Sequence, residues 1–282
     1  MDKEDQDKDQ DKDQDKAQDK AQDKDQDKAQ DKAQAIDLVI CVFGCDTIEQ
    51  YKNEIQNILH TWGKKAKEYP NVKVLYFLGE EPGPLVGSEF IRLSNVSNDY
   101  LSASYKQFLG LKYIKEQYSP KFILCCGTDT YLNIPKLLAF LEIYNHLVPL
   151  YIGGHGDVRK IGQESYFFHS GGPGFVISGT FLEILYPKLD CIMDEWTELC
   201  VQNNVTNLIP ACDVAVGYYA KKMGARIVKT NDLSFIHCNY WGYPCHQGEV
   251  KIEDIVSCHS MNSEDFHAFT WILEENRYFC SG

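Results

Sequence analysis

A chain of 282 residues with 44% apolar and 12% aromatic content can bury a substantial core, in one large domain or two small ones. Its net charge is −13, with 13 acidic and 8 lysine residues in the first 34 positions, so neither that stretch nor the remainder has the basic balance of a nucleic-acid binder. No apolar run reaches the roughly 20 residues of a membrane helix, and the charged N-terminus excludes a secretory h-region, which predicts a soluble, cytoplasmic protein.

From Met1 to Gln34 the chain repeats Asp-Lys-Asp-Gln and Asp-Lys-Ala-Gln, with no aliphatic or aromatic anchor after Met1. This composition predicts a disordered tail over 1–34, a solvated spacer or a charged interaction arm, ahead of one folded domain over 35–282. The domain opens on Leu38-Val39-Ile40-Cys41-Val42-Phe43, a continuous apolar run that reads as a strand buried on both faces. Gln50 to Lys67 then places Ile55, Ile58, Leu59 and Trp62 at helical spacing, and Val72 to Leu78 is strand-like again.

A second helical stripe runs from Tyr100 to Gln117 through Leu101, Tyr105, Phe108 and Leu109, and Lys121 to Cys126 is the next buried strand. Asp129 follows directly, at the carboxyl end of that strand, where open α/β sheets gather their ligands. Pro135 to His146 reads as a helix with proline in its first turn, and Tyr151-Ile152-Gly153 as a short strand. The glycine-rich Ser170-Gly171-Gly172-Pro173-Gly174 leads into the strand Phe175-Val176-Ile177, and helices are expected over Gly179 to Tyr186 and Asp213 to Met223. A last short strand runs from Arg226 to Lys229, so the whole is an alternating α/β domain.

Eleven cysteines are many for a cytosolic enzyme, but the count is odd and no spacing repeats, which favours reduced thiols. Cys238, Cys245, His246, Cys258 and His259 crowd the C-terminal part, yet their spacing matches no familiar zinc pattern. Disulfides such as Cys191 with Cys200, or plain buried thiols, fit better than a zinc module. The sequons at Asn95 and Asn204 decide nothing by themselves.

An ordered series of motifs now resembles glycosyltransferase family 31, the Fringe and core-1 β1,3-galactosyltransferase group with the GT-A fold. The series is Thr61-Trp62-Gly63, Asp99-Tyr100 with Tyr105-Lys106, Gly127-Thr128-Asp129-Thr130-Tyr131-Leu132-Asn133, Tyr151-Ile152-Gly153, Ser170 to Phe175, Cys212-Asp213-Val214 with Gly217, and Val256-Ser257-Cys258-His259. The resemblance spans Ile36 to Glu274 and implies a GT-A, Rossmann-like α/β fold with a mostly parallel sheet. It also implies an inverting, metal-dependent transfer of a sugar from a UDP-sugar to a hydroxyl of a glycan or glycoprotein, in a β1,3 linkage. Members are usually Golgi lumenal, so a cytoplasmic member would belong to a protist or viral system, or be a catalytic segment of a longer protein.

Carried over residue by residue, the resemblance implies that Asp129, matching the last acid of the family's Asp-x-Asp motif, holds Mn2+ or another divalent cation. The alternative is a turn or helix-capping Asp ahead of Asn133 and Pro135. Gly127 and Thr128 stand where relatives often carry further acids, leaving a role to be filled by the Thr128 hydroxyl, by backbone or by nothing. The second ligand is His259, with His237 the runner-up, and Asn239 a further match near it. Asp213 matches the general base, or else caps its helix. Lys106 matches a lysine that pairs with the diphosphate, or is an exposed helix lysine, and Thr47 joins Lys106, Thr128 and Asp129 in the donor site. Gly171 and Gly172 let backbone approach the sugars, or merely tighten a loop. Trp196 and Trp241 stack on sugars or pack in the core. The missing acids keep a second class open: a catalytically weakened GT-A protein that binds glycans or nucleotides.

Overall fold

Strand β1, Leu38–Phe43, is apolar throughout and pairs in parallel with a strand on each side, so its residues alternate between two separate cores. Val39 and Cys41 join one, while Leu38, Ile40 and Val42 join the other. The computed structural model describes residues 36–99, 101–230, 235–237 and 252–279. The repeat tail, Trp241, Asn239 and the cluster at Cys238, Cys245 and His246 lie outside the described residues.

After β1 come helix α1 (Glu49–His60), the short α2 (Trp62–Ala66), strand β2 (Val72–Leu78) and strand β3 (Phe90–Arg92). One helix was expected over residues 50–67, but Thr61 leaves helical geometry at φ −116° and ψ −114°. Gly63 permits the tight turn that follows, since a Cβ there would stand 2.6 Å from the carbonyl oxygen of Ile58. Helix α3 (Ala103–Gln117) leads to β4 (Phe122–Cys126), the two-residue β5 (Tyr131–Leu132), α4 (Ile134–Leu141) and β6 (Leu150–Gly153). Next are the hairpin β7 (Gly156–Ile161) and β8 (Glu164–His169), β9 (Phe175–Ser178), α5 (Gly179–Leu185), α6 (Ile192–Gln202) and α7 (Cys212–Lys222). Strands β10 (Arg226–Lys229), β11 (Phe235–His237) and β12 (Ser257–His259) and helix α8 (Ser263–Phe279) complete the described elements.

Seven strands form the central sheet in the order β10-β6-β9-β4-β1-β2-β3. All pairings are parallel except those of β9, which runs antiparallel to β4 and β6. Helix α3 packs on one face through Phe108, Leu111 and Ile114, together with Trp196 of α6 and Val214, Ala215 and Val216 of α7. The other face is covered by Ile55 and Ile58 of α1, Trp62, Leu137 of α4 and Phe266 of α8. The chain builds outward from β1 through β2 to β3 and then crosses to β4 on the opposite side, so a topological switch point lies between the carboxyl ends of β1 and β4. Both following loops, at Gly44 and at Asp129, open there. No helix among the described residues is long and apolar enough to cross a membrane.

Candidate active site

A cavity of about 420 Å³, within the usual range for small-molecule sites, lies at this switch point. Its wall includes Lys106, Thr128, Asp129 and Gly171, and equally Gly172, Asp213 and His259, which the sequence separates by more than 150 positions.

Asp129 reaches the cavity because β4 ends at Cys126 and the chain turns at Thr128. It caps no helix. Asn133 does that for α4, its side-chain oxygen accepting from the backbone N–H of Lys136 at 3.3 Å. The loop is tied from several sides: Met261 N–H donates to the Asp129 carbonyl at 3.0 Å, and the Thr130 hydroxyl donates to the Gly172 carbonyl at 2.8 Å. His259, from β12, places Nε2 at 3.1 Å from Asp129 Oδ2, and its Nδ1 lies 3.1 Å from the Ser260 hydroxyl. Two neighbouring ligands about 2.1 Å from an octahedral ion stand roughly 3 Å apart, so this carboxylate and imidazole fit one edge of such a site. No group of three or more such side chains is gathered for a metal among the described residues. Of His237 only the backbone is described, in register beside His259 in the parallel pair of β11 and β12.

Asp213 lies in the first turn of α7, whose N-cap position is Ala211, so the helix-cap role does not apply. Its Oδ2 accepts the N–H of Gly171 and its Oδ1 that of Val214, both at 2.8 Å. Burial pushes the carboxyl above the usual aspartate range despite these two donors. The glycines make room for the side chains facing them. A Cβ on Gly171 would stand 3.0 Å from Asp213 Cβ, and one on Gly172 would be 2.5 Å from Nδ1 of His259.

Lys106 is buried rather than exposed, and its ammonium donates to the Gly44 carbonyl at 2.8 Å and to Asn98 Oδ1 at 3.3 Å. Burial holds its pKa below the ordinary lysine value. Thr47 does not line the cavity. It is exposed, and its hydroxyl rests 3.4 Å from the Cys45 sulfur, while Phe43, Gly44 and Cys45 border the site instead. Trp196 is a core residue, fully buried with its indole N–H on the Leu208 carbonyl at 3.0 Å.

Glu54, on α1, escaped the sequence reading. It lines the same cavity, and its carboxylate accepts a hydrogen bond from the Thr128 hydroxyl. Burial, with Asp129 nearby, raises its pKa. The only sequence signal was an acid four positions after Gln50 on a helix that leaves β1.

The cysteines divide. Cys41, Cys45, Cys125, Cys126, Cys191, Cys200 and Cys212 are free thiols, so Cys191 and Cys200 are not joined. Cys258 is disulfide-bonded, against the leaning towards reduced thiols, and so offers no thiolate to a zinc ion.

An α/β sheet of this order, with a ligand cavity beyond the carboxyl ends of its parallel strands, is the architecture of the GT-A glycosyltransferases. The glycosyltransferase GlyE of Streptococcus pneumoniae shares the fold with a TM-score of 0.50, at 11% identity over 87% of this chain and 63% of that one. The chain belongs to the Fringe-like family, whose model matches residues 34–238. It is also similar to chondroitin sulfate synthase 3 of Mus musculus, 30% identical over 129 residues, and to that of Homo sapiens, 30% identical over 128 residues. These stretches cover 43% and 42% of this chain and 14% of each relative.

Proposed function

We propose that this chain is an inverting glycosyltransferase that moves a sugar from a UDP-sugar to an acceptor hydroxyl on a glycan or glycoprotein, in a β1,3 linkage. The observation that carries the reading is that the Asp129–His259 pair and Asp213 share one cavity at the switch point. In this reaction the acceptor oxygen attacks the anomeric carbon, the carbon–oxygen bond to the diphosphate breaks, and the acceptor proton passes to Asp213. A carboxylate whose affinity for a proton is raised by burial suits that role. Asp129 and His259 would hold a divalent cation, manganese or another, that neutralises charge on the departing diphosphate. Lys106 adds a buried positive charge in the same wall.

Calorimetric titration of UDP, with manganese and with chelator, tests the donor site. Binding should require the ion, vanish in Asp129→Ala, and weaken more in His259→Ala than in His237→Ala. Equal binding in chelator would sink the metal role, and a larger effect of His237→Ala would move the ligand to that strand. A second reading, a GT-A protein that binds without transferring, is motivated by Gly127 and Thr128 in place of acids. Mass spectrometry of products from a panel of UDP-sugars and glycan acceptors separates the two and names the sugar.

A further inference from the structure

The Gly127-Thr128-Asp129 loop carries one acid, where the family resemblance implies further ones. In the folded chain a second carboxylate nevertheless stands at that place. Glu54 comes in from α1, and one of its oxygens accepts the hydroxyl hydrogen of the buried Thr128. Its other oxygen accepts from the side-chain amide of Gln50, one turn earlier, at 3.0 Å. Glu54, Gln50 and Thr128 all line the cavity that contains Asp129 and His259. The approach of Thr128 to α1 depends on Gly44 at the end of β1, where a Cβ would stand 2.8 Å from Thr128 Cγ2.

We infer that Glu54 is a ligand-binding residue of the donor site, supplying from α1 the carboxylate that the Gly127-Thr128-Asp129 loop lacks. This inference rests on the UDP-sugar reading above. Thr128 fixes the carboxylate through one hydrogen bond and Gln50 through another, and two donors on two oxygens hold it in one orientation. An ionised carboxylate has about four lone-pair sites, so acceptor capacity remains for the ligand. The chemistry it offers is acceptance of a hydrogen bond from an O–H group of the bound donor complex. That group is either a water of the hydrated cation or a ribose hydroxyl of the nucleotide.

The test is a set of titrations on the full chain, with melting temperature recorded for each variant. Manganese alone is followed by electron paramagnetic resonance, and UDP with manganese by calorimetry. Glu54→Gln keeps the size and the contact with Thr128 but removes the charge, and should weaken UDP affinity about 10-fold or more, the worth of a hydrogen bond to a charged group. If manganese alone is weakened to the same degree, the partner is the ion's water; if manganese alone is unaffected, it is the ribose. Adding Thr128→Asp to Glu54→Gln returns a carboxylate to the motif position with the hydrogen bond reversed, and should recover affinity to within about 3-fold of the unaltered chain. Unchanged UDP affinity in a folded Glu54→Gln overturns the inference, as does a loss that tracks melting temperature alone and is not recovered in the double variant. Should Glu54→Gln fail to fold, Glu54→Asp, which keeps the charge but shortens the reach, must show the same loss. Failure of the unaltered chain to bind UDP at all would instead overturn the donor-site reading.

Discussion

The indole Nε1 of Trp62 donates to the Thr130 carbonyl oxygen at 3.0 Å, tying α2 to the loop that carries Asp129 across 68 positions of sequence. The motif Thr61-Trp62-Gly63 therefore works at a distance from the cavity. Trp62→Phe retains most of the apolar contact but leaves a buried carbonyl without its donor, at a cost of about 1–3 kcal/mol. The variant should fold with a lower melting temperature and bind UDP with manganese several-fold more weakly. Unchanged UDP affinity would show that the Asp129 loop holds its shape without the indole.

Two adjacent glycines should separate binding from turnover. The new methyl of Gly172→Ala would press on the His259 ring at about 2.5 Å, so that variant should lose manganese-dependent UDP affinity. The methyl of Gly171→Ala meets Asp213 at 3.0 Å and should chiefly lower kcat, since the proposed function gives Asp213 the acceptor's proton and not the nucleotide. Steady-state kinetics beside UDP titrations check the split, and identical profiles for the two variants would contradict it.

Asp213→Asn should leave UDP affinity intact and reduce turnover by about 10²-fold or more, because the amide cannot take a proton. Because Asp213 is not the N-cap of its helix, a fully active Asn variant would leave it with neither role and end its assignment as the base. Its effect on stability is expected to be small. Removing a charge whose burial raises the carboxyl's pKa favours folding at neutral pH, whereas one of the N–H groups of Gly171 and Val214 loses its acceptor, at about 1 kcal/mol. In the unaltered chain kcat should fall on acidification at a higher pH than an ordinary aspartate would set.

His169 is fully buried beside the loop of Gly171 and Gly172, stacked edgewise against Tyr151 and Phe167. Neither ring nitrogen has a hydrogen-bond partner among the described residues, and burial pushes its pKa down to about 4. The folded state thus prefers the neutral ring. Stability is fully present above the unfolded value near 6.5 and is lost as pH falls towards 4, by about 3 kcal/mol in all. His169→Phe, which forfeits no hydrogen bond, should flatten this part of the curve in denaturant titrations between pH 7 and pH 4. An unchanged slope would place the acid sensitivity elsewhere.

Six of the seven strands of the central sheet were legible because residues such as Leu38 to Phe43 and Phe122 to Cys126 are apolar on both faces, a local property that burial in a parallel sheet demands, whereas the half-buried three-residue edge strand Phe90–Arg92 carries no such signal. The hairpin β7–β8 was not, since Gly156-Asp157-Val158-Arg159-Lys160-Ile161 is largely solvent-exposed and its pairing supplies what its composition does not signal. Motif order likewise nominated Asp129, His259 and Asp213, residue types whose chemistry is visible one at a time. Which of them share a cavity, that Lys106 turns inward, that Thr47 stays outside, and that Glu54 meets Thr128 were decided only by tertiary structure. Strand formation is written in the period of neighbouring side chains, whereas a hydrogen bond across 74 positions depends on how β1, α1 and the β4 loop are stacked, and no local pattern encodes that distance.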